Sequence, residues 1–380
     1  MLSYFAMRRI SPLSNLPTVA FRSVLGDASR IVVICHTDLD GFGAARILKD
    51  SSFGRKVAEV LATDSPDRDV REEEVELLLA ANPDLIVFLD IAPSNQEQLQ
   101  RLLAGRKGLV VDHHKPKEFE RFPQLDARFV SYRLFPEGPD HYSATLLMAE
   151  LLGEPYNPEL VVAALLGDEN FGYFRDRFEC TEEELRMAYD VGKLYKKLGA
   201  VQPLRAGDEF RADQVANILR ELALSTPDLD SLSREISSNP LIQKIITETS
   251  EDTARLMQEA LEMVSLNWAE QTLLLEFVPA AGFCVAGFIY LLERRIREAV
   301  PEFRGVLVLA QEGEGFWRLD GLSTEQEISA GEIFAHSGVG GGHHNVGGGR
   351  LMKRDGTHPR AWFEKAYSTA RAKKAALSTL

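Results

Sequence analysis

From Ile31 to Ala45 the chain reads IVVICHTDLDGFGAA, an apolar run that stops at His36, Asp38 and Asp40 with Gly41 behind them. In an extended backbone alternate side chains share a face, so an imidazole and two carboxylates can converge just past a strand end. Such a donor set suits a divalent metal. An Asp-Gly pair after a strand is also a common turn, so this segment alone leaves both readings open. The pattern recurs, however. Leu85 to Asp90, LIVFLD, ends in another carboxylate; Gly108 to His114, GLVVDHH, ends in Asp112, His113 and His114; and Asp168 follows the apolar stretch Val161 to Gly167. Without cations, such convergence would crowd like charges and raise carboxylate pKa values. A pair of metal ions removes that cost.

The elements that must position these residues follow from the same runs. Buried parallel strands read as continuous aliphatic stretches, and open α/β sheets carry their sites at the carboxyl ends of strands. The four runs therefore predict four sets of Asp and His along one edge of one sheet. Helices are expected over Gly41 to Lys49, Glu72 to Ala80, Gln96 to Leu103 and Tyr142 to Leu152. This alternation implies an α/β domain with a mostly parallel sheet and helices on both faces. From Thr181 to about Leu266 helical periodicity takes over, broken near Gln202-Pro203 and Thr226-Pro227. That stretch reads as a helical extension followed by a connecting helix, Ile242 to Val264. A smaller α/β domain then opens with Gln271 to Phe277, continues through an amphipathic helix at Cys284 to Val300 and a strand at Gly305 to Ala310, and reaches a glycine run after Glu332 to His336. The expected boundaries are 1–240 for the catalytic domain with its extension, 241–268 for the connector and 269–380 for the second domain.

His36-Thr37-Asp38-Leu39-Asp40-Gly41, Asp90, Asp112-His113-His114 and Asp168 together resemble the four motifs of the DHH phosphoesterase superfamily. That superfamily includes RecJ-type exonucleases, nano-RNases that also act on pAp, cyclic dinucleotide phosphodiesterases and exopolyphosphatases. Gly340 to Gly349, GGGHHNVGGG, is similar to the GGGHxxAGG element of its DHH-associated substrate domain, with Val346 where alanine is common. The likeness covers Ser29 to Gly172 and Phe277 to Leu351. It implies that His36, Asp38 and Asp90 hold one Mn²⁺ and that Asp40, Asp90, His113 and Asp168 hold the other, with Asp90 bridging. The donor types also admit Mg²⁺, Co²⁺ or Fe²⁺. Asp112 would orient a neighbour and His114 would contact the scissile phosphate, in a hydrolysis by metal-activated water without a covalent enzyme intermediate. The second domain would close over the first, with Gly340, Gly341, Gly342, His343 and Arg350 binding substrate. Glycine runs also make flexible linkers. Trp317 to Thr324, WRLDGLST, lacks the Ser-x-Arg-Ser arginine that many family members place before this loop, which leaves recognition of the substrate end open.

Composition narrows the partners. The net charge of −14 disfavours a grip on a long polyanion, so a short oligonucleotide or small nucleotide is the expected substrate. A RecJ-like single-strand exonuclease and a non-catalytic scaffold of the same fold are the alternatives. The scaffold has no chemical need for six metal ligands, and no β-rich segment that could form a strand-binding OB-fold follows Leu351. Cys35, Cys180 and Cys284 sit in apolar or helical context without a pairing pattern, so no disulfide is expected. No apolar run reaches the ~20 residues of a membrane span. A cytoplasmic protein without membrane partners is expected, with a homodimer left open.

Overall fold

The structure, a computed structural model, describes residues 8–9, 16–63, 70–91, 93, 95–114, 129–132, 142–168, 170–199, 209–247, 258, 272–277, 292, 295–296, 298, 305–313, 315–323, 328–342 and 346–377. The chain divides into two compact units, Met1–Gly199 with Val215–Asn239, and Ala200–Gln214 with Pro240–Leu380. The described elements begin β1 (Arg8–Arg9), α1 (Thr18–Asp27), β2 (Ile31–His36), α2 (Leu39–Asp50), β3 (Val57–Thr63), α3 (Glu72–Ala80), β4 (Leu85–Leu89), α4 (Gln96–Leu102) and β5 (Lys107–Val111). They continue with β6 (Phe129–Tyr132), α5 (Ala144–Leu152), α6 (Pro158–Gly167), β7 (Phe178–Glu179), α7 (Glu182–Gly199), α8 (Glu209–Ser225) and α9 (Leu229–Ser238).

Strands β2 to β6 form one parallel sheet in the order β3-β2-β4-β5-β6. The chain leaves β2 for β3 on one side and returns to β4 on the other. That reversal opens a crevice at the carboxyl ends of β2 and β4, where α/β sheets place their ligands. Ile31 to Cys35, Leu85 to Leu89 and Leu109 to Val111 are wholly buried because helices cover both faces. Val32, Ile34, Ile86, Phe88 and Val110 share one face and pack with Val75 and Leu78 of α3 and Leu99 and Leu102 of α4. The alternate residues point to the other face, on the side of α2 and α5. The fold is thus α/β with a parallel sheet between helical layers. β3 is an edge strand with Ala58 and Glu59 exposed, so its sequence is not a continuous apolar run.

The structure corrects one strand. Val161–Gly167 forms the body of helix α6, begun by Asn157, whose side chain accepts from the Glu159 N–H, and by Pro158 in its first turn. Leu160 to Leu165 are all buried. A helix buried all round shows no apolar periodicity, and so reads like a buried strand. Asp168 is therefore a helix C-cap.

The second unit carries a sheet ordered β11-β12-β10-β9-β8, built from β8 (Thr272–Phe277), β9 (Val306–Glu312), β10 (Phe316–Ser323), β11 (Gly340–Gly342) and β12 (Val346–Met352). β8 and β9 are parallel; the other pairs are antiparallel. Helices α10 (Ala330–His336) and α11 (Pro359–Leu377) accompany it. Val306, Val308, Leu319, Phe334, Trp362 and Phe363 belong to its buried core. Most of the glycine run expected as a loop is strand here, because Gly340 pairs with Gly349, Gly341 with Gly348 and Gly342 with Gly347. Backbones approach closely: a Cβ on Gly340 would lie 1.9 Å from the Gly348 carbonyl oxygen. Residues 240–247 are helical, but most of the expected connector and of the helix at Cys284 to Val300 lies outside the described residues. Among the described residues no helix is long and apolar enough to cross a membrane.

Candidate metal centre

The site is assembled where β2, β4 and β5 end. β2 delivers His36 to the crevice, and Asp38 then caps α2, with its Oδ1 accepting from the Asp40 and Gly41 N–H groups at 3.1 and 3.2 Å. Its other oxygen lies 3.0 Å from His36 Nδ1. One carboxylate thus starts the helix and faces the site. Gly41 is required at this junction, since a Cβ there would stand 2.4 Å from the His36 carbonyl oxygen.

Asp40 turns inward from the first turn of α2. Its Oδ2 accepts from Ala144 N–H at 2.7 Å and its Oδ1 from Thr145 N–H at 2.8 Å, which seats the carboxylate on the N-terminus of α5. The Thr145 hydroxyl also donates to the Asp40 carbonyl at 2.6 Å. Asp90 follows β4 with a φ of 56°, a left-handed conformation uncommon outside glycine, and its N–H donates to Val111 O at 3.0 Å. This turn aims both of its oxygens: Oδ2 lies 3.4 Å from His36 Nδ1, while Oδ1 lies 3.3 Å from His113 Nε2 and 3.5 Å from His114 Nδ1. His113 Nε2 also stands 3.4 Å from Asp40 Oδ2 and 3.8 Å from Asp168 Oδ2. Asp112, fully buried, meets His114 Nδ1 at 2.7 Å.

The atoms fall into overlapping triads, His36–Asp38–Asp90, Asp40–His113–Asp168 and Asp90–His113–His114, each with ligand-type atoms within 4.8 Å of one another. Asp90 is common to the first and third, and His113 to the second and third. The structure thus brings together all the residues singled out on the first domain.

The electrostatics ask for positive charge. Burial, reinforced by the Asp90 and Asp168 carboxylates, pushes Asp40 up to about 8 from its ordinary 3.8. Burial works against a charge on His113, yet its hydrogen bond to Asp90 and the surrounding carboxylates raise it to about 9. Burial would also raise Asp168, but Lys196 and His113 outweigh it and hold that carboxyl at about 2. An imidazolium and an ammonium thus balance crowded carboxylates. The mixed oxygen and nitrogen donor set, buried and converging, fits divalent metal ions.

Sequence reasoning missed the α5 amides and Lys196, whose ammonium pairs with Asp168 Oδ1. Ser143, a capping residue before an apolar run, signals where α5 starts, though nothing local to it signals Asp40. The second-domain candidates fall in the other compact unit. Gly340, Gly341 and Gly342 form β11; Arg350 lies in β12 with its guanidinium 4.8 Å from the centre of the Phe316 ring; His343 lies outside the described residues. Cys35 is buried on the opposite face of β2 from His36, where its thiol donates to Leu61 O at 3.4 Å and burial pushes its pKa up. Cys35 and Cys180 are free thiols, and Cys284 lies outside the described residues.

Residues 30–167 match the sequence profile of the DHH family, N-terminal domain. No curated protein gives a match. Among solved structures, the chain is similar to RecJ in complex with Mn²⁺ from Thermus thermophilus, with a TM-score of 0.56 and 19% identity over 96% of this chain and 55% of that one. It is also similar to the DHH domain of a member of the S1p family of ribosomal proteins, with a TM-score of 0.58 and 15% identity over 92% of this chain and 88% of that one. At these identities the likeness is one of fold. The chain spans 55% of the length of the RecJ chain it matches.

Proposed function

We propose that this chain, which carries a DHH-family N-terminal domain over residues 30–167, is a metal-dependent phosphoesterase that hydrolyses short oligonucleotides or small nucleotides. The observation that carries this reading is the convergence of buried Asp38, Asp40, Asp90 and His113 with half-buried His36 and Asp168 into triads within 4.8 Å. In it, His36, Asp38 and Asp90 hold one divalent cation and Asp40, Asp90, His113 and Asp168 the second. Mn²⁺ is the preferred ion, with Mg²⁺ or Co²⁺ as substitutes. When bound, two such ions supply Lewis acidity toward phosphoryl oxygens and lower the pKa of the attacking water.

The chain's own residues do the positioning. Asp38 and Asp40 are held by backbone amides and need no reorganisation to present their carboxylates. Asp112 accepts from His114 Nδ1–H and so directs Nε2 as the nitrogen that meets the scissile phosphate. Gly340, Gly341, Gly342, His343 and Arg350 are assigned to substrate binding. The net charge of −14 supports a short anionic substrate over a long strand.

The test is hydrolysis by the purified, metal-stripped chain of a panel comprising a dinucleotide, pAp, a cyclic dinucleotide, polyphosphate and single-stranded DNA. Cleavage of a short nucleotide that appears on adding Mn²⁺ is expected. Undiminished turnover after exhaustive chelation, or no cleavage of any member with metal present, would overturn the proposal.

A further inference from the structure

We propose that Lys196 is a built-in counter-cation of this centre, one that stabilises the carboxylate cluster before metal binds and lowers the affinity for metal afterwards. The inference rests on the reading of the triads as a metal centre and adds a residue that no motif marks.

The geometry begins with Asp168, which caps the C-terminus of α6. A carboxylate there faces the negative end of a helix dipole. It also shares His113 with Asp40 and Asp90, so every neighbour of its own sign opposes it. Relief comes from α7, which packs against α6. The crossing is close enough that a Cβ on Gly192 would stand 2.2 Å from the Ala163 carbonyl oxygen, and one on Gly167 would stand 3.2 Å from the Gly192 carbonyl oxygen. One and four residues after Gly192, two lysines therefore arrive over the end of α6. Lys193 Nζ donates to Gly167 O at 3.2 Å, and Lys196 Nζ pairs with Asp168 Oδ1. Buried Tyr195, whose hydroxyl donates to Leu219 O at 3.0 Å, fixes the rotation of α7 between them.

The pairing divides the two oxygens of Asp168. Lys196 takes Oδ1, whereas Oδ2 faces His113 within the Asp40–His113–Asp168 triad. The ammonium thus stands behind the ligand and leaves its inner side open to the cluster. From there it offsets like-charge repulsion while the centre holds no metal, and repels a divalent ion once one enters. Both effects follow from Coulomb's law. Lys196 is 41% exposed, so solvent screens each of them to a modest size.

Calorimetric titration of Mn²⁺ into the metal-stripped full chain, paired with thermal melting in chelator, tests the sign. Lys196→Met should melt at a lower temperature without metal, yet bind Mn²⁺ roughly three- to tenfold more tightly, the size expected of a partly screened charge. Lys196→Arg should match the wild type on both measures. A lower melting temperature with unchanged or weaker Mn²⁺ affinity would reduce Lys196 to a packing residue and overturn the proposal, as would an arginine variant that behaves like methionine. If Lys196→Met does not fold, Lys196→Gln is read by the same criteria. A wild-type chain that binds no Mn²⁺ would instead remove the metal-centre reading itself.

Discussion

Asp90 is the residue on which the two halves of the centre meet. Its left-handed backbone, at a φ of 56°, costs on the order of 1 kcal/mol relative to an ordinary strand residue. That conformation lets one carboxylate address His36 with one oxygen and His113 with the other. Asp90→Ala is therefore expected to lower kcat at least about a thousandfold, because a shared ligand serves both proposed ions. Its circular dichroism should remain that of the wild type. Near-normal rates in a folded Asp90→Ala protein would show that the centre is misassigned. Asp112 acts through His114, so its effect should be smaller: Asp112→Ala is expected to cost roughly 10- to 100-fold in rate or metal affinity.

Among the elements, the junction between β2 and α2 is the most constrained. Only Thr37 and Asp38 separate the strand from the helix, with Asp38 as the cap and Gly41 pressed on the backbone of His36. A methyl group at Gly41 would meet the His36 carbonyl oxygen at 2.4 Å and its nitrogen at 2.8 Å, and backbone cannot rotate aside as a side chain can. Gly41→Ala should thus destabilise the protein by about 1 to 3 kcal/mol, read as a lower melting temperature. Because the strain separates His36 from Asp38 and Asp40, Mn²⁺ affinity should fall with it. An alanine variant with unchanged melting and metal binding would contradict the close packing of this turn. The glycine pattern of the second unit also has an element-scale cause, since β11 and β12 pair glycine against glycine.

For the whole molecule, the shifted groups set how stability depends on pH. His113 titrates near 9 in the fold against an ordinary 6.5, so its contribution is complete below 6.5 and disappears as pH rises through 9. Asp40, raised to about 8 from 3.8, changes stability in the same direction across that interval. Asp168, held at about 2, contributes above 3.8 and loses its contribution as pH falls through 2. The metal-stripped protein should therefore melt at progressively lower temperature as pH rises from 3.8 to 9, most steeply between 6.5 and 8 where Asp40 and His113 both act, and also on acidification below 3.8. Added Mn²⁺ should stabilise more strongly as pH rises, because its ligands must shed protons to bind. Melting curves across pH, with chelator and with Mn²⁺, check both slopes. By itself the sequence determined which first-domain Asp and His residues cluster, the parallel sheet and the strand ends that carry His36, Asp90 and His113, because an apolar run and the polar residue that stops it are neighbours in the chain. Only the tertiary structure decided that Asp168 comes from a helix, that the amides of Ala144 and Thr145 hold a carboxylate more than 100 residues earlier, and that Lys196 reaches Asp168 across a glycine-lined helix crossing. Those relations depend on which buried faces pack together, and no local pattern of residue types encodes that choice.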